Sequence, residues 1–213
     1  MQTSPEIHAV LFDYGQVLSG PPDPAAWARM MALTSLDEPA FHAAYWNPRH
    51  DYDRGTLTGR QYWRQIAGPN APDTIIDQLI QADTDLWTQP NQPMLDWALA
   101  LQRAGVRTGI LSNIGDEMTL GINSRFDLSG FHHHTWSYML NTAKPDPAIY
   151  THAAAGLETP PPHILFIDDR EDNIAAAQAV GMQTLRYTNH DAFLQEMHAR
   201  GLNWLLQPEL PQK

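Results

Sequence analysis

Three short apolar runs in this chain each stop at a polar residue and are followed by a helical pattern. His8–Phe12 runs into Asp13, Val106–Leu111 into Ser112 and Asn113, and His163–Ile167 into Asp168 and Asp169. Short apolar runs of this kind, alternating with helix-period segments, predict parallel strands in one sheet with helices on both faces. The helical segments carry their own punctuation. MLDWALALQRAG closes at Gly105, PDPAIYTHAAAG has prolines in its first turn, and REDNIAAAQAVG begins with acidic residues suited to a helix N-terminus. Two further strands are predicted at HTWSY and MQTLRY, with a last helix at DAFLQEMHARG.

One stretch departs from this alternation. GPPDP, Gly20 to Pro24, breaks the chain after the first strand. From Ala25 to Trp87 alanine, methionine, leucine and tryptophan recur at helical spacing, predicting three or four short helices and no strand. TQPNQP, Thr88 to Pro93, reads as the link back. The predicted fold class is therefore α/β, a doubly wound parallel sheet with a helical unit inserted after the first strand. Residues 1–20 and 89–213 form the core domain, and residues 21–88 the helical cap domain.

In an open parallel sheet ligands bind beyond the carboxyl ends of the strands, where strand order reverses. If the three strands are neighbours, Asp13, Asp168 and Asp169 meet there beside the Ser112 hydroxyl. An aspartate after a buried run is costly unless its charge is satisfied, and like charges that close need a cation among them. All-oxygen ligation points to Mg²⁺. Lys144, in AKPDP just before a proline-started helix, adds positive charge at a helix N-terminus, which favours anions. Phosphate is the anion this set suits. Each piece alone has an ordinary reading, as a cap or turn residue. The order and spacing of all four carry the argument.

Composition limits the partners. The 213 residues carry a formal net charge of −11, a field that opposes nucleic acid and anionic membrane surfaces. There are no cysteines, which excludes disulfides and thiolate chemistry. MQTSPEIHAV lacks the pattern of a secretory signal, and no apolar run is long enough to span a bilayer. A cytoplasmic protein acting on a small phosphorylated molecule is the expectation, with the oligomeric state left open.

FDYGQVL, ILSN, AKPDPAIY and LFIDDREDN resemble, in order, the four motifs of the haloacid dehalogenase superfamily. The insert, with YDRGTLTGRQYW, resembles the small helical cap of its sugar-phosphatase-like and dehalogenase members. The resemblance implies a Rossmann-like core and gives each residue a role. Asp13 matches the nucleophile, Ser112 and the Asn113 backbone N–H the phosphate-binding groups, and Lys144 the lysine that steadies nucleophile and phosphate. Asp168 and Asp169 match the acidic metal ligands. The Gly15 carbonyl matches the main-chain ligand, and Asn173 falls where a supporting polar residue often sits.

Gly15 is also the main departure, because phosphatases of this superfamily commonly carry there a second aspartate that protonates the leaving oxygen. Some sugar-phosphatase-like members resemble this chain in having glycine. Asn141 replaces a frequent glycine three places before the lysine, a swap compatible with left-handed backbone. The implied function is a Mg²⁺-dependent phosphatase, of a sugar phosphate among other candidates, working through an aspartyl-phosphate. The alternatives are a metal-independent 2-haloacid dehalogenase, which the paired acids of IDD argue against, and a low-turnover binding protein. Within the cap His50, Asp51, Tyr52 and Arg54 form a polar cluster placed to select the substrate, with His50 or Asp51 as sources of the missing proton. His132–His134 are expected on a surface loop or edge strand, and Trp27, Trp46, Trp63 and Trp87 in packing between cap and core.

Overall fold

The computed structural model describes residues 6–208. Residues 1–5, which belong to the N-terminal stretch read above for a signal, lie outside the described residues.

Five strands form one parallel sheet in the order β3-β2-β1-β4-β5: β1 Ala9–Phe12, β2 Arg107–Ser112, β3 His133–Trp136, β4 Ile164–Asp168 and β5 Gln183–Arg186. The register aligns Phe12 with Ile110 on one side and with Ile167 on the other. β1 is thus the central strand, and the carboxyl ends of β1, β2 and β4 open onto one crevice. The strand order reverses there.

Alternate residues of each strand serve two different cores. Val10, Phe12, Ile110, Leu165 and Ile167 face one side, against helices α6 (Gln92–Arg103), α7 (Asp116–Asn123), α11 (His190–Ala199) and α12 (Asn203–Leu206). Ala9, Leu11, Leu111, Ile164 and Phe166 face the other, against α9 (Pro147–Gly156) and α10 (Glu171–Ala179). Because both faces are covered, the strands read as unbroken apolar runs.

Five helices lie between β1 and β2 ahead of α6: α1 (Pro24–Thr34), α2 (Glu38–Trp46), α3 (Arg49–Asp53), α4 (Gly59–Ala67) and α5 (Asp73–Trp87). They bury a separate apolar cluster around Met30, Phe41, Tyr45, Tyr62, Trp63 and Leu79. The helix beyond the three or four expected is α3, whose NPRHDYD sequence reads as a turn. α6 starts at Gln92, inside the stretch expected to be a linker. The strand expected at HTWSY ends at Trp136, and Ser137–Leu140 forms the short helix α8.

The insert sits on α7 through positions that have no room for a side chain. A Cβ at Gly115 would lie 2.0 Å from Tyr52 Cε2, and one at Gly59 would lie 2.6 Å from Glu117 Cγ. The Tyr52 hydroxyl accepts from the Met118 N–H at 3.1 Å, and the Gly59 N–H donates to Asp116 Oδ1 at 2.8 Å.

Candidate active site

Asp13 follows the last residue of β1, and its own N–H donates to the Ile167 carbonyl of β4 at 2.8 Å. This bond places its carboxylate at the crevice. Oδ1 accepts from the Tyr14 N–H at 2.7 Å and from Lys144 Nζ at 2.8 Å. Lys144 Nζ also donates to Asp168 Oδ2 at 2.7 Å. Lys144 is 4% exposed, so its ammonium is a buried bridge between two carboxylates rather than a solvated charge.

Two asparagines hold the bridge. Asn113 clamps the main chain of Lys144: Nδ2 donates to the Lys144 carbonyl at 2.9 Å, and Oδ1 accepts the Lys144 N–H at 2.7 Å. Asn173 donates through Nδ2 to both oxygens of Asp168, at 3.0 and 3.1 Å, and the Arg170 N–H adds a further bond to Oδ1. Asn141 adopts the left-handed conformation at φ 51°, ahead of the turn that presents Lys144.

One carboxylate oxygen from each of Asp13, Asp168 and Asp169 lies within 4.8 Å of the others. Burial, reinforced by Asp168 and Asp169 and opposed by Lys144, pushes Asp13 up to about 7. Burial and the charge of Asp168 likewise raise Asp169. On Lys144 burial acts downward, and the two carboxylates outweigh it, so the ammonium is held above its ordinary value. One cation among three carboxylates leaves a surplus of negative charge on hard oxygen donors. That donor set fits a divalent cation of the Mg²⁺ type.

After Asp13 the chain makes a tight turn, in which the Ser19 N–H donates back to the Tyr14 carbonyl at 2.8 Å. Gly15 lies in this turn at φ −62°, ψ 127°, with no atom within 4 Å of where a Cβ would stand. Gln16 takes the left-handed conformation at φ 56°, and its Nε2 donates to Asp169 Oδ2 at 3.0 Å. Ser112 ends β2 and lines the same cleft, a cavity of about 410 Å³.

Above these groups the insert supplies a roof made of Trp46, Arg49, His50, Asp53 and Trp87. Arg49 is buried. Its Nε donates to Asp53 Oδ1 at 3.0 Å, and Nη1 lies 2.7 Å from the Tyr45 hydroxyl and 3.2 Å from Asp83 Oδ2. The Tyr45 hydroxyl donates to Asp83 Oδ1 at 2.7 Å and accepts from the Trp87 indole at 2.9 Å. Burial raises Asp53 and Asp83, with Arg49 opposing.

The structure thus brings Asp13, Gly15, Ser112, Asn113, Lys144, Asp169 and Asn173 to one cleft, with Asp168 behind them on Lys144. Of the four cap residues expected to select the substrate, His50 alone lines it. Asp51 is exposed, and its carbonyl accepts from Thr56. Tyr52 is buried against Tyr62 and turned to α7. Arg54 points to His50 and to the Asn141 carbonyl. The cleft-lining residues that sequence reasoning missed include the polar Tyr14, Gln16, Arg49 and Asp53 and the apolar Ile114, Met118 and Ile122. Trp46 and Trp87 also line the cleft, and Trp87 packs between the cap cluster and one core of the sheet as expected. The three histidines do not converge. The ring of His134 stacks on Trp136, whereas that of His133 faces His152.

Residues 7–181 match the model of a hydrolase family described as haloacid dehalogenase-like hydrolase. Bifunctional epoxide hydrolase 2 of Sus scrofa is 25% identical over 96% of this chain and 41% of its own length. The chain therefore spans about two fifths of that relative. A sesquiterpene phosphatase of Aspergillus oryzae is 27% identical over 71% of this chain and 88% of its own. Among solved structures, a HAD family enzyme from Bacteroides thetaiotaomicron superposes with a TM-score of 0.75 at 20% identity, covering 90% of this chain and 99% of that one. Its complex with magnesium and inorganic phosphate gives 0.69 at 21% identity, covering 88% and 98%. These superpositions establish the fold. No helix among the described residues is long and apolar enough to cross a membrane.

Proposed function

The chain belongs to the haloacid dehalogenase-like hydrolases, and from that premise we propose that it is a Mg²⁺-dependent phosphatase acting on a small phosphate monoester. Residues 21–88 act as a cap domain over a core formed by residues 1–20 and 89–213. The observation that carries the reading is the Asp13–Lys144–Asp168 bridge beside Asp169. A nucleophilic carboxylate, a buried ammonium and surplus acidic ligands suit a dianionic phosphate together with a metal ion. The names of the Aspergillus relative and of the magnesium and phosphate complex of the Bacteroides enzyme support the same chemistry.

Asp13, Asp169, the Gly15 carbonyl and Asp168 would hold Mg²⁺, which when bound neutralises phosphate charge and polarises its oxygens. The chain's own groups do the rest. Ser112 Oγ and the Asn113 N–H hold phosphate oxygens. Asp13 attacks phosphorus, a new O–P bond forms as the ester P–O bond breaks, and the leaving oxygen departs with the bonding pair and takes a proton from water. Water then cleaves the aspartyl-phosphate, releasing phosphate and restoring the carboxylate. This covalent route splits one difficult displacement into two easier ones. Lys144 keeps Asp13 aligned and favours its ionised form before attack and after release.

The test is hydrolysis of aryl phosphate and of a 2-haloacid, each with Mg²⁺ and with chelator, by wild type and Asp13→Asn. Phosphate release that needs Mg²⁺ and is lost in Asp13→Asn is expected. Halide release in chelator with no phosphate release would assign a dehalogenase, and neither activity a binding protein.

A further inference from the structure

The phosphate-binding side of the cleft is shared by any substrate of this reading, so the rest of the cleft must choose the alcohol. Three observations bear on that choice.

The first is charge. The cationic side chains lining the cleft are Lys144, Arg49 and Arg170, beside His50. Each of the three is already matched. Lys144 bridges Asp13 and Asp168, Arg49 joins Asp53 and Asp83, and Arg170 pairs with Asp172 at 2.8 Å. A substrate with a second phosphate or a carboxylate would meet no uncommitted cation here, and it would face the carboxylates of Asp53 and Asp172. An unpaired anion taken out of water is strongly disfavoured.

The second is hydrogen bonding. The Tyr14 hydroxyl donates to the Trp87 carbonyl at 3.1 Å, and the Trp87 indole donates to Tyr45. Nε and Nη1 of Arg49 are engaged by Asp53, Tyr45 and Asp83. These donors are spent on one another, and the polar groups left facing the cleft away from the phosphate end, His50 and the carboxylates of Asp53 and Asp172, are few beside the apolar wall. What remains is apolar and largely aromatic. Trp46 and Trp87 lie above, 6.5 Å apart and edge to face, and Ile114, Met118 and Ile122 form the side wall. Trp46 is 43% exposed, which leaves part of its ring open to a ligand in the cleft.

The third is the leaving group. Gly15 offers no carboxyl to protonate the departing oxygen, which leaves that task to roof groups such as His50 and Asp53 and favours an alcohol that departs well without help.

Building on the phosphatase reading, we infer that the substrate is the phosphate monoester of an uncharged aromatic alcohol, a phenol-type leaving group whose ring lies against Trp46, Trp87 and Met118. Aromatic rings favour such offset or edge contacts, and a phenolate departs with little acid assistance. A bisphosphate does not fit the charge of the cleft, and a sugar gains less than an aromatic ring from its apolar wall.

Two measurements test this on the full chain with saturating Mg²⁺. Binding is read from thermal stabilisation and titration calorimetry with inorganic phosphate, benzylphosphonate and a glucose phosphonate. Benzylphosphonate is expected to bind at least about tenfold tighter than inorganic phosphate, and the glucose phosphonate no tighter. Trp46→Ala is expected to cut the aryl advantage over phosphate roughly threefold to tenfold. Turnover is read from naphthyl phosphate and a carboxylated phenyl phosphate of matched leaving ability, with kcat/KM favouring the uncharged ester by about tenfold or more. A glucose phosphonate that binds as well as the aryl one, or a preference for the carboxylated ester, overturns the aromatic assignment while leaving the phosphatase intact. If inorganic phosphate itself does not bind and no ester is hydrolysed, the phosphatase reading falls and the assignment falls with it.

Discussion

The carboxamide of Asn113 holds both backbone polar groups of Lys144, accepting its N–H at 2.7 Å and donating to its carbonyl at 2.9 Å. The lysine that bridges Asp13 and Asp168 is therefore fixed from its main chain by a residue on a different strand end. Asn113→Ala removes both bonds, and Asn113→Asp keeps only the accepting one. Each lost bond costs about 1 kcal/mol of stability. A misplacement of about 1 Å at the reacting group costs on the order of 100-fold in rate. Asn113→Ala should melt lower by a few degrees and lose about 100-fold in kcat, and Asn113→Asp should fall between it and wild type. Melting curves and steady-state kinetics on an aryl phosphate check this. An Asn113→Ala enzyme with wild-type kcat would show that Lys144 does not depend on the clamp.

Gly15 gives a sharper test of the leaving-group argument. No atom lies within 4 Å of its missing Cβ, and its φ of −62° suits any L-residue. An aspartate fits there without displacing the turn. Gly15→Asp should flatten the dependence of rate on leaving-group pKa and help poor leaving groups most, by up to about 100-fold, the lower end of what acid–base assistance supplies. A series of phosphate esters assayed on both proteins under saturating Mg²⁺ gives the two slopes. Equal slopes, with wild type hydrolysing alkyl phosphates readily, would place the acid elsewhere in the roof, with Asp53 and His50 the first positions to mutate.

Metal binding should be linked to protons. In the metal-free protein Asp13 is pushed from 3.8 up to about 7, mainly by burial. Between those two values the folded state holds a proton that the unfolded chain has released, so this group's contribution makes metal-free stability fall as pH rises from about 4 to about 7 and level off above. Mg²⁺ needs the carboxylate, so its binding must expel that proton below pH 7. Apparent affinity should rise by up to about tenfold per pH unit toward pH 7 and then flatten. Calorimetric titrations at pH 6 in two buffers of different ionisation enthalpy should show proton release, with much less at pH 8. Equal proton counts at both pH values would mean that Asp13 is not a ligand.

The floor of the cleft was legible in the sequence because each of its carboxylates follows an unbroken apolar run, and a strand covered on both faces shows itself that way. The roof was not. α3 is five residues long, with a proline before it and polar residues along it, so its pattern is that of a turn. Read as a loop, His50, Asp51, Tyr52 and Arg54 are equivalent. Read as a helix they are not, because Arg49 and Asp53, four apart, share the cleft face, whereas Tyr52 points to α7. The partner that keeps Arg49 buried, Asp83, lies 34 residues away with no local signal of the pairing. Gln16 was equally hidden, since glutamine has no special preference for the left-handed conformation that aims it at Asp169.

The seat of Tyr52 on Gly115 decides whether this roof is fixed. A Cβ at Gly115 would stand 2.0 Å from Cε2 and 2.2 Å from Cζ of the ring, and the ring is hemmed in on its other side by Tyr62, with centroids 4.8 Å apart. Tyr52 therefore cannot yield without moving α3, and α3 carries Arg49, His50 and Asp53 to the cleft. Gly115 has φ −94°, so alanine there is not strained by backbone conformation, and the whole effect comes from the contact. Overpacking of this kind typically costs about 1–3 kcal/mol. Gly115→Ala should melt lower by several degrees and raise KM for aryl phosphates about tenfold, with a smaller change in kcat, because the floor around Asp13 and Lys144 is untouched. Gly20→Ala is the control, since its nearest neighbour would lie at an ordinary 3.5 Å. Tyr52→Leu in the Gly115→Ala background takes away the contacts with Cε2 and Cζ and should recover part of the stability without restoring KM, since the hydroxyl that accepts from Met118 is gone as well. Melting curves and KM values for the four proteins separate these outcomes. If Gly115→Ala keeps the wild-type KM while it destabilises the fold, the roof adjusts independently of this contact.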